Sequence, residues 1–170
     1  MKFRISDKIF FWRERKKTSR KVLSLSILFC LLIGGIGALF TQSTLHTWYD
    51  GLVKSPFTPP NFVFALVWTI LYTLMGISFW LIWEKVKFSE LFPMLMFGVQ
   101  FFFNLLWPIL FFYLESPAAA FVDIILLFIA IVVTIESFRR YSRPAAALLL
   151  PYLLWICFAI NLNLYIVMHN

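Results

Sequence analysis

The sequence predicts an all-α integral membrane protein that folds as a bundle of five transmembrane helices. Its 170 residues are 62% hydrophobic and only 14% charged, and the mean hydropathy is +0.87. Soluble domains are usually about half apolar, so this composition indicates a membrane protein. Five apolar runs are separated by breaks that contain proline or charged residues, and the basic residues are concentrated in alternate breaks.

Each apolar run is about as long as the roughly 20 residues that cross a bilayer as a helix. Because backbone groups in lipid must be hydrogen-bonded within the chain, such runs are expected to be helical. The predicted helices occupy residues 22–41, 62–83, 91–113, 118–135 and 145–167. The predicted organisation is a basic cytoplasmic N-terminal arm, residues 1–21, followed by one five-helix domain, residues 22–170, with a long outer loop at about residues 46–61.

The distribution of positive charge predicts the topology. Every Lys and Arg except Lys54 precedes the first helix or lies in the second-to-third or fourth-to-fifth connection. The positive-inside rule therefore places the N-terminus in the cytoplasm, with a bacterial inner membrane favoured, and the first loop outside. A net charge of +7 would also suit nucleic acid, but this placement favours a topology signal that contacts anionic membrane lipid.

The loop before the second helix combines aromatic residues with three prolines, Pro56, Pro59 and Pro60. Tandem prolines fix the direction in which a helix begins, since proline suits the first helical turn and disfavours helix before it. The pattern predicts a rigid lid over the mouth of the bundle. The lid residues are predicted to be Trp48, Pro59, Pro60 and Phe62.

Three of the predicted helices carry a face of aromatic and amide side chains at helical spacing. Buried amides are costly unless they are hydrogen-bonded, so these faces should look into the bundle or towards a polar ligand. Hydrogen bonding between helices and ligand binding both remain open at this point. The three faces suit a pocket for a large, flat, mostly apolar ligand. They comprise Trp68, Tyr72, Gly76 and Phe79; Gln100, Asn104, Trp107 and Phe111; and Tyr152, Trp155, Ala159 and Asn163.

Several single residues carry structural expectations. Asp123, the one acid near membrane depth, is expected to pair with a backbone group or with the first helix. Gly34 and Ala38 form a small-xxx-small pair, for which internal packing is favoured over a dimer contact. Pro108 and Pro151 are each expected to disturb their helix.

The sequence lacks the usual arrangements of catalytic and metal-binding side chains. It shows no Ser–His–acid set, no paired carboxylates and no phosphate-binding loop. Cys30 and Cys157 have no neighbouring Cys or His, and His46 and His169 are predicted near the outer surface. We therefore predict no catalytic residue, no metal site and no required cofactor.

Five segments in order resemble the TspO/MBR family, the tryptophan-rich sensory proteins that include the translocator protein, or peripheral-type benzodiazepine receptor. The first two are WYDGLVKSPFTPP in the first loop and VWTILYTLMG in the second helix, between Trp48 and Gly76. The third helix has Gln100, Asn104 and Trp107 at the family's spacing, and the fourth has Asp123 in a VDI segment. The fifth helix reads PYLLWICFAINLN, residues 151–163. Phe62 and Leu66 stand where the family often has Trp and Pro.

The resemblance implies a pocket that lies under the first loop and binds porphyrins or synthetic benzodiazepine- and isoquinoline-type ligands. It also implies a homodimer. The residues it assigns to ligand binding are Trp68, Asn104, Trp107, Phe158 and Ala159, with Tyr72 and Trp155 close by.

The leading hypothesis is a membrane receptor, sensory or transport protein that binds porphyrin or haem, or a related hydrophobic molecule. The alternative is an enzyme that degrades porphyrin with light and oxygen, which the seven tryptophans motivate. A third hypothesis is a membrane adaptor that works through its basic arm. None of the three involves nucleic acid.

Overall fold

The computed structural model describes residues 5–44, 47–86 and 91–170. His46 and the first basic residues of the arm lie outside this set. In the described residues the helices are α1 (Ile5–Thr44), α2 (Asn61–Trp83), α3 (Phe92–Pro108), α4 (Pro117–Arg139), α5 (Arg143–Leu148) and α6 (Leu150–His169). A short 3-10 turn, Tyr49–Gly51, lies in the first loop, and a π-helical turn, Ile109–Tyr113, follows α3.

Within the described residues, five segments are long and apolar enough to cross a membrane, which confirms the predicted fold class. They are Arg20–Gln42, Asn61–Trp83, Phe92–Tyr113, Pro117–Arg139 and Arg143–His169. The first helix differs from the prediction because α1 already begins at Ile5. The described part of the basic arm is therefore continuous with the first span rather than a separate element.

Proline interrupts two of the spans, as expected for a residue that lacks a backbone N–H. After Pro108 the α-helix gives way to the π-helical turn, in which the Leu114 N–H donates to the Ile109 carbonyl at 2.9 Å. The last span is interrupted at Leu149, between α5 and α6, two residues before Pro151. These interruptions change the direction in which the later side chains face.

Helix α1 packs against α2 and α3, α3 packs against α4, and α4 packs against α5 and α6. The contact between α1 and α2 depends on glycine at two positions. A Cβ atom on Gly76 would come within 2.6 Å of the Ile27 Cα atom, and one on Gly34 would collide with the ring of Tyr72. Gly34 thus packs against α2 of the same chain, in agreement with the prediction that internal packing is favoured over a dimer contact.

The bundle has two chemically different ends. At the basic end lie Arg20, Lys85 and Arg139, and the Lys85 Nζ atom donates to the Tyr141 carbonyl at 3.4 Å. At the loop end, the Thr44 hydroxyl donates to the Phe112 carbonyl at 3.0 Å, which joins the end of α1 to the π-helical turn.

Candidate ligand-binding cavity

A cavity of about 490 Å³ occupies the loop-end half of the bundle. Its walls come from α1, α2, α3, the π-helical turn, α4 and α6, and one loop side chain, Tyr49, closes it from the loop side. This volume lies within the range of pockets that hold drug-sized molecules.

The cavity exists because α2 is close to α5 but is held away from α6. Near the basic end, the Ser78 hydroxyl donates to the Ala145 carbonyl at 2.8 Å, a contact that the small alanines of α5 permit. Beyond the interruption at Leu149, large rings separate the helices. Phe64 meets Trp155 with ring centroids 5.7 Å apart, and Trp68 meets Tyr152 at 6.1 Å.

The floor of the cavity is a buried hydrogen-bond network on three helices. The Tyr72 hydroxyl donates to Asn104 Oδ1, and Asn104 Nδ2 donates to the Tyr152 hydroxyl oxygen at 2.8 Å. All three side chains are buried. Since an unpaired amide at this depth is costly, the two tyrosines explain how Asn104 is accommodated. Hydrogen bonding between helices, left open by the sequence, is what the structure shows for this residue.

One wall of the cavity is fixed by a second polar contact. The Trp107 indole N–H donates to Asn163 Oδ1 at 3.1 Å, and Asn163 Nδ2 donates to the Pro117 carbonyl at 2.9 Å. Trp107 also stacks on Phe111, with centroids 4.8 Å apart. The indole plane is therefore held in one orientation by α6 and by the start of α4.

Two other tryptophans in the cavity lining, Trp68 and Trp155, have no such partner. Both are half-buried, and among the described residues neither indole N–H has a hydrogen-bond acceptor. Trp68 stacks on Tyr72 with centroids 5.3 Å apart, and Trp155 contacts Phe64 and Phe158. The cavity thus offers two indole donors to a bound molecule.

Tyr49 is fixed against the loop end of the bundle. Its ring contacts Phe111 and Phe112 at centroid distances of 6.1 and 5.5 Å. The ammonium group of Lys54 lies 4.5 Å from the centre of the tyrosine ring and donates to the Tyr49 carbonyl at 2.9 Å. Burial, with a smaller contribution from the charge of Asp50, raises the pKa of the Tyr49 hydroxyl.

A contact between distant parts of the chain holds the next stretch of the loop. The Val53 N–H donates to Asn170 Oδ1 at 3.0 Å, and Asn170 Nδ2 donates to the Val53 carbonyl at 3.2 Å. The side-chain amide thus matches both polar groups of one loop residue. We call this pair of hydrogen bonds the loop clamp.

Most of the residues assigned by the sequence come together around this cavity. Six of the seven ligand-binding assignments line it: Trp68, Tyr72, Asn104, Trp107, Trp155 and Ala159. Phe158 does not, and instead packs against Trp155 at a centroid distance of 5.6 Å. This side chain supports a lining residue without lining the cavity itself.

None of the four predicted lid residues lines the cavity itself. Trp48 packs on Phe111, with ring centroids 5.6 Å apart, outside the lining. Pro59 and Pro60 directly precede α2, and Phe62 points outward with 71% of its surface exposed. The loop residue that closes the cavity is Tyr49, the neighbour of Trp48 in the same motif.

The sequence also missed the contribution of α1. Gly34, Gly35, Ala38, Thr41 and Gln42 line the cavity along one side of that helix. The available signal was a stripe of small and polar residues towards the end of a strongly apolar run. Packing was the simpler explanation of that stripe.

Three buried polar side chains, those of Gln100, Asp123 and Ser142, have polar atoms without a hydrogen-bond partner in the described part of the chain. Neither carboxylate oxygen of Asp123 has a hydrogen-bond partner, and neither do the two polar atoms of Gln100. The expected pairing of Asp123 is therefore wrong. Asp123 is buried within the bundle, on a helix that also carries the buried apolar side chains of Ile124 and Leu127.

The fold and the cavity define a multi-pass membrane protein with five spans and an aromatic-walled chamber next to its first loop. The family described as TspO/MBR matches residues 26–169, and the chain belongs to this family. It is 46% identical to the tryptophan-rich protein TspO of Archaeoglobus fulgidus, over 85% of this chain and 94% of that one. It is 37% identical to the translocator protein of Ovis aries, over 76% and 79%. It is 30% identical to the tryptophan-rich sensory protein of Cereibacter sphaeroides, over 80% and 87%.

Proposed function

We propose that this protein is a membrane receptor, sensory or transport protein that binds porphyrins and related hydrophobic molecules in the cavity. The observation that carries the proposal is the pair of unpartnered indole donors, Trp68 and Trp155, in an otherwise aromatic chamber. Relatives named as a translocator and as a sensory protein support the same class.

In the proposed binding mode, the stacked rings, the free indole N–H groups and Asn104 have different roles. A flat macrocycle packs against the stacked pairs Trp107–Phe111 and Trp68–Tyr72, and its carboxylates accept hydrogen bonds from the free indoles. Asn104 contributes mainly by holding Tyr72 and Tyr152, since its oxygen and one of its N–H groups are already engaged. Porphyrin or haem is then the ligand, and no resident cofactor is required.

The test is a titration with protoporphyrin IX, followed by the porphyrin absorbance. Trp68→Phe and Trp155→Phe keep an aromatic ring but remove the N–H donor. A hydrogen bond to a charged group contributes about 1.5 kcal/mol, so each variant should bind roughly tenfold more weakly. Trp83→Phe is the control, because Trp83 is at the basic end of α2 and outside the lining. Wild-type affinity in both cavity variants would contradict the proposed site.

Porphyrin breakdown with light and oxygen remains the second candidate function. Three oxidisable indoles, Trp68, Trp107 and Trp155, lie in the cavity lining. The complex should be illuminated in the presence and absence of oxygen and the pigment then separated. A defined, oxygen-dependent product formed over several turnovers would favour the enzyme, whereas unchanged or merely bleached pigment would favour binding alone.

We also propose that the N-terminus is cytoplasmic, that the membrane is a bacterial inner membrane and that the protein is a homodimer. The orientation is supported by the basic end, which contrasts with the single cation Lys54 at the loop end. A membrane-impermeant maleimide applied to intact cells should label Ser55→Cys but not Lys85→Cys.

If no ligand binds at all, the adaptor hypothesis that uses the basic arm is favoured.

A further inference from the structure

The cavity reaches the protein surface on one side. Six lining residues are exposed, and all of them belong to the first two spans: Gly35, Ala38, Gln42, Asn61, Ala65 and Thr69. Every lining residue on α3, the π-helical turn, α4 and α6 is buried or half-buried. Within the described residues, the cavity therefore opens between α1 and α2. We call this gap the lateral opening.

The lateral opening begins where the tight contact between the two helices ends. Towards the basic end, Gly76 lies against the Ile27 backbone, and Gly34 lies against the Tyr72 ring. Beyond that ring the facing side chains are small, and no atom lies within 4 Å of the position that a Cβ atom on Gly35 would occupy. The helices thus leave a gap towards their loop-end halves.

The surroundings of the lateral opening are those of the bilayer interior. Both of its edges lie inside membrane-spanning segments, Arg20–Gln42 and Asn61–Trp83. The neighbouring side chains Leu39 and Leu66 are 69% and 58% exposed and face outward. Two amides, Gln42 and Asn61, stand at the loop end of the opening, where each span meets the membrane boundary. A molecule with an apolar body and a polar edge at the interface matches this gradient.

The loop side is closed by contrast. Tyr49 is packed on Phe111 and Phe112 and is fixed by Lys54. The loop clamp between Val53 and Asn170 holds the next residues down. Passage under the loop requires these contacts to break, whereas the side chains that border the gap between α1 and α2 are exposed and mostly small.

We propose that the ligand of this cavity enters and leaves through the lateral opening, directly from the bilayer. The inference rests on the proposed function for its ligand class, which is flat, lipid-soluble molecules that carry a polar edge. Ala65 is one of the small, exposed residues of α2 that border the opening. A gate of this kind controls rates rather than affinity, because narrowing a passage slows entry and exit equally.

The kinetic test uses the full chain in phosphatidylcholine vesicles, with protoporphyrin IX dissolved in the same bilayer. Ala65→Phe places a ring in the opening, and Leu66→Phe places the same ring on the adjacent outward face. Ala65→Phe should slow association by about tenfold, as a barrier higher by roughly 1.4 kcal/mol would. Because Ala65 also lines the cavity, the dissociation rate is measured separately to follow any change in affinity. Leu66→Phe should match the wild type. Asn170→Ala, which removes the loop clamp, should leave both rates unchanged.

The possible results test the lateral entry route and the proposed porphyrin binding separately. Wild-type rates in Ala65→Phe, equal slowing in Leu66→Phe, or faster exchange in Asn170→Ala would each overturn the lateral route. A weaker equilibrium constant in Ala65→Phe with an unchanged association rate would do so as well, since it would make Ala65 only a contact residue. Absence of porphyrin binding in the wild type would instead overturn the proposed function.

A second measurement tests the route without any porphyrin. The variant Trp68→Cys is made in a chain that also carries Cys30→Ala and Cys157→Ala, so that the cavity holds the one cysteine. Pyrene maleimide, a reagent that dissolves in the bilayer, is then added to the vesicles. We expect labelling from the bilayer, and about tenfold slower labelling when Ala65→Phe is added. Equal labelling with and without Ala65→Phe would overturn the lateral route even if no porphyrin binds.

Discussion

The Tyr72 hydroxyl donates a hydrogen bond to the side-chain oxygen of Asn104, which joins α2 to α3 at the floor of the cavity. Asn104 passes the connection on to Tyr152 of α6. The same tyrosine ring rests against Gly34 of α1. Tyr72 thus connects the cavity floor to the contact that limits the lateral opening on its basic side.

The first prediction concerns this floor. Tyr152→Phe removes the acceptor of the Asn104 amide and leaves a buried N–H unpaired, which should lower stability by about 1–2 kcal/mol. Thermal unfolding in detergent measures the change. Tyr113→Phe is the control, since Tyr113 is 62% exposed. An equal melting temperature for wild type and Tyr152→Phe would show that the amide finds another partner.

The second prediction concerns the orientation of Trp107. Asn163→Ala removes the acceptor of its indole N–H and the donor to the Pro117 carbonyl. We expect a loss of about 1–2 kcal/mol in stability and a shift in tryptophan emission. Asn161→Ala is matched in chemistry, but Asn161 is exposed and bonds only to the Cys157 carbonyl of its own helix. Similar effects of the two variants would refute a special role for Asn163.

The third prediction compares three glycines. Gly76→Ala puts a methyl group against the Ile27 backbone and should destabilise by about 1–3 kcal/mol. Gly35→Ala and Gly98→Ala meet no atom within 4 Å and should be neutral or stabilising by up to about 1 kcal/mol, because alanine favours helix. Melting temperatures of the three variants provide the comparison. An unchanged melting temperature for Gly76→Ala would mean that α1 and α2 can move apart at little cost in stability.

The fourth prediction concerns the unpartnered carboxyl group of Asp123. Asp123→Asn keeps the shape and replaces a group that is very costly to bury as an ion with a neutral amide. Stability at neutral pH should therefore be equal to or greater than that of the wild type. Denaturation in detergent at pH 7 is the measurement. A loss of more than about 2 kcal/mol would reveal a partner that needs the carboxylate.

The five spans were predictable because hydrophobic length alone fixes them. Helical periodicity and the family resemblance placed Trp68, Asn104, Trp107 and Trp155 around one space. The loop was harder to predict, because whether Trp48 or Tyr49 turns inward depends on tertiary contacts. One of these, the loop clamp between Val53 and Asn170, joins residues 117 positions apart.

The position of Phe158 and the contribution of α1 illustrate two further limits. Helical periodicity gave the face with Trp155, Ala159 and Asn163, which lines the cavity. Phe158 was assigned by the family resemblance alone, and in this chain it packs against Trp155 outside the lining. On α1, glycine and alanine identify a stripe but not whether a neighbour fills it. Only the separation of α1 from α2 beyond Tyr72 makes the stripe a border of the cavity.

The length of α1 has a mechanical consequence. A single helix of 40 residues measures about 60 Å, roughly twice the hydrocarbon thickness of a bilayer. Its first fifteen residues therefore project about 22 Å beyond the span at the basic end. Because the helix is continuous, a tilt of about 10° about the Ile27–Gly76 contact that widened the lateral opening would move the far tip, about 33 Å away, by roughly 6 Å. Ligand binding in the cavity would then change the position of the N-terminal end of α1 on the opposite side of the membrane, even if no molecule crosses it.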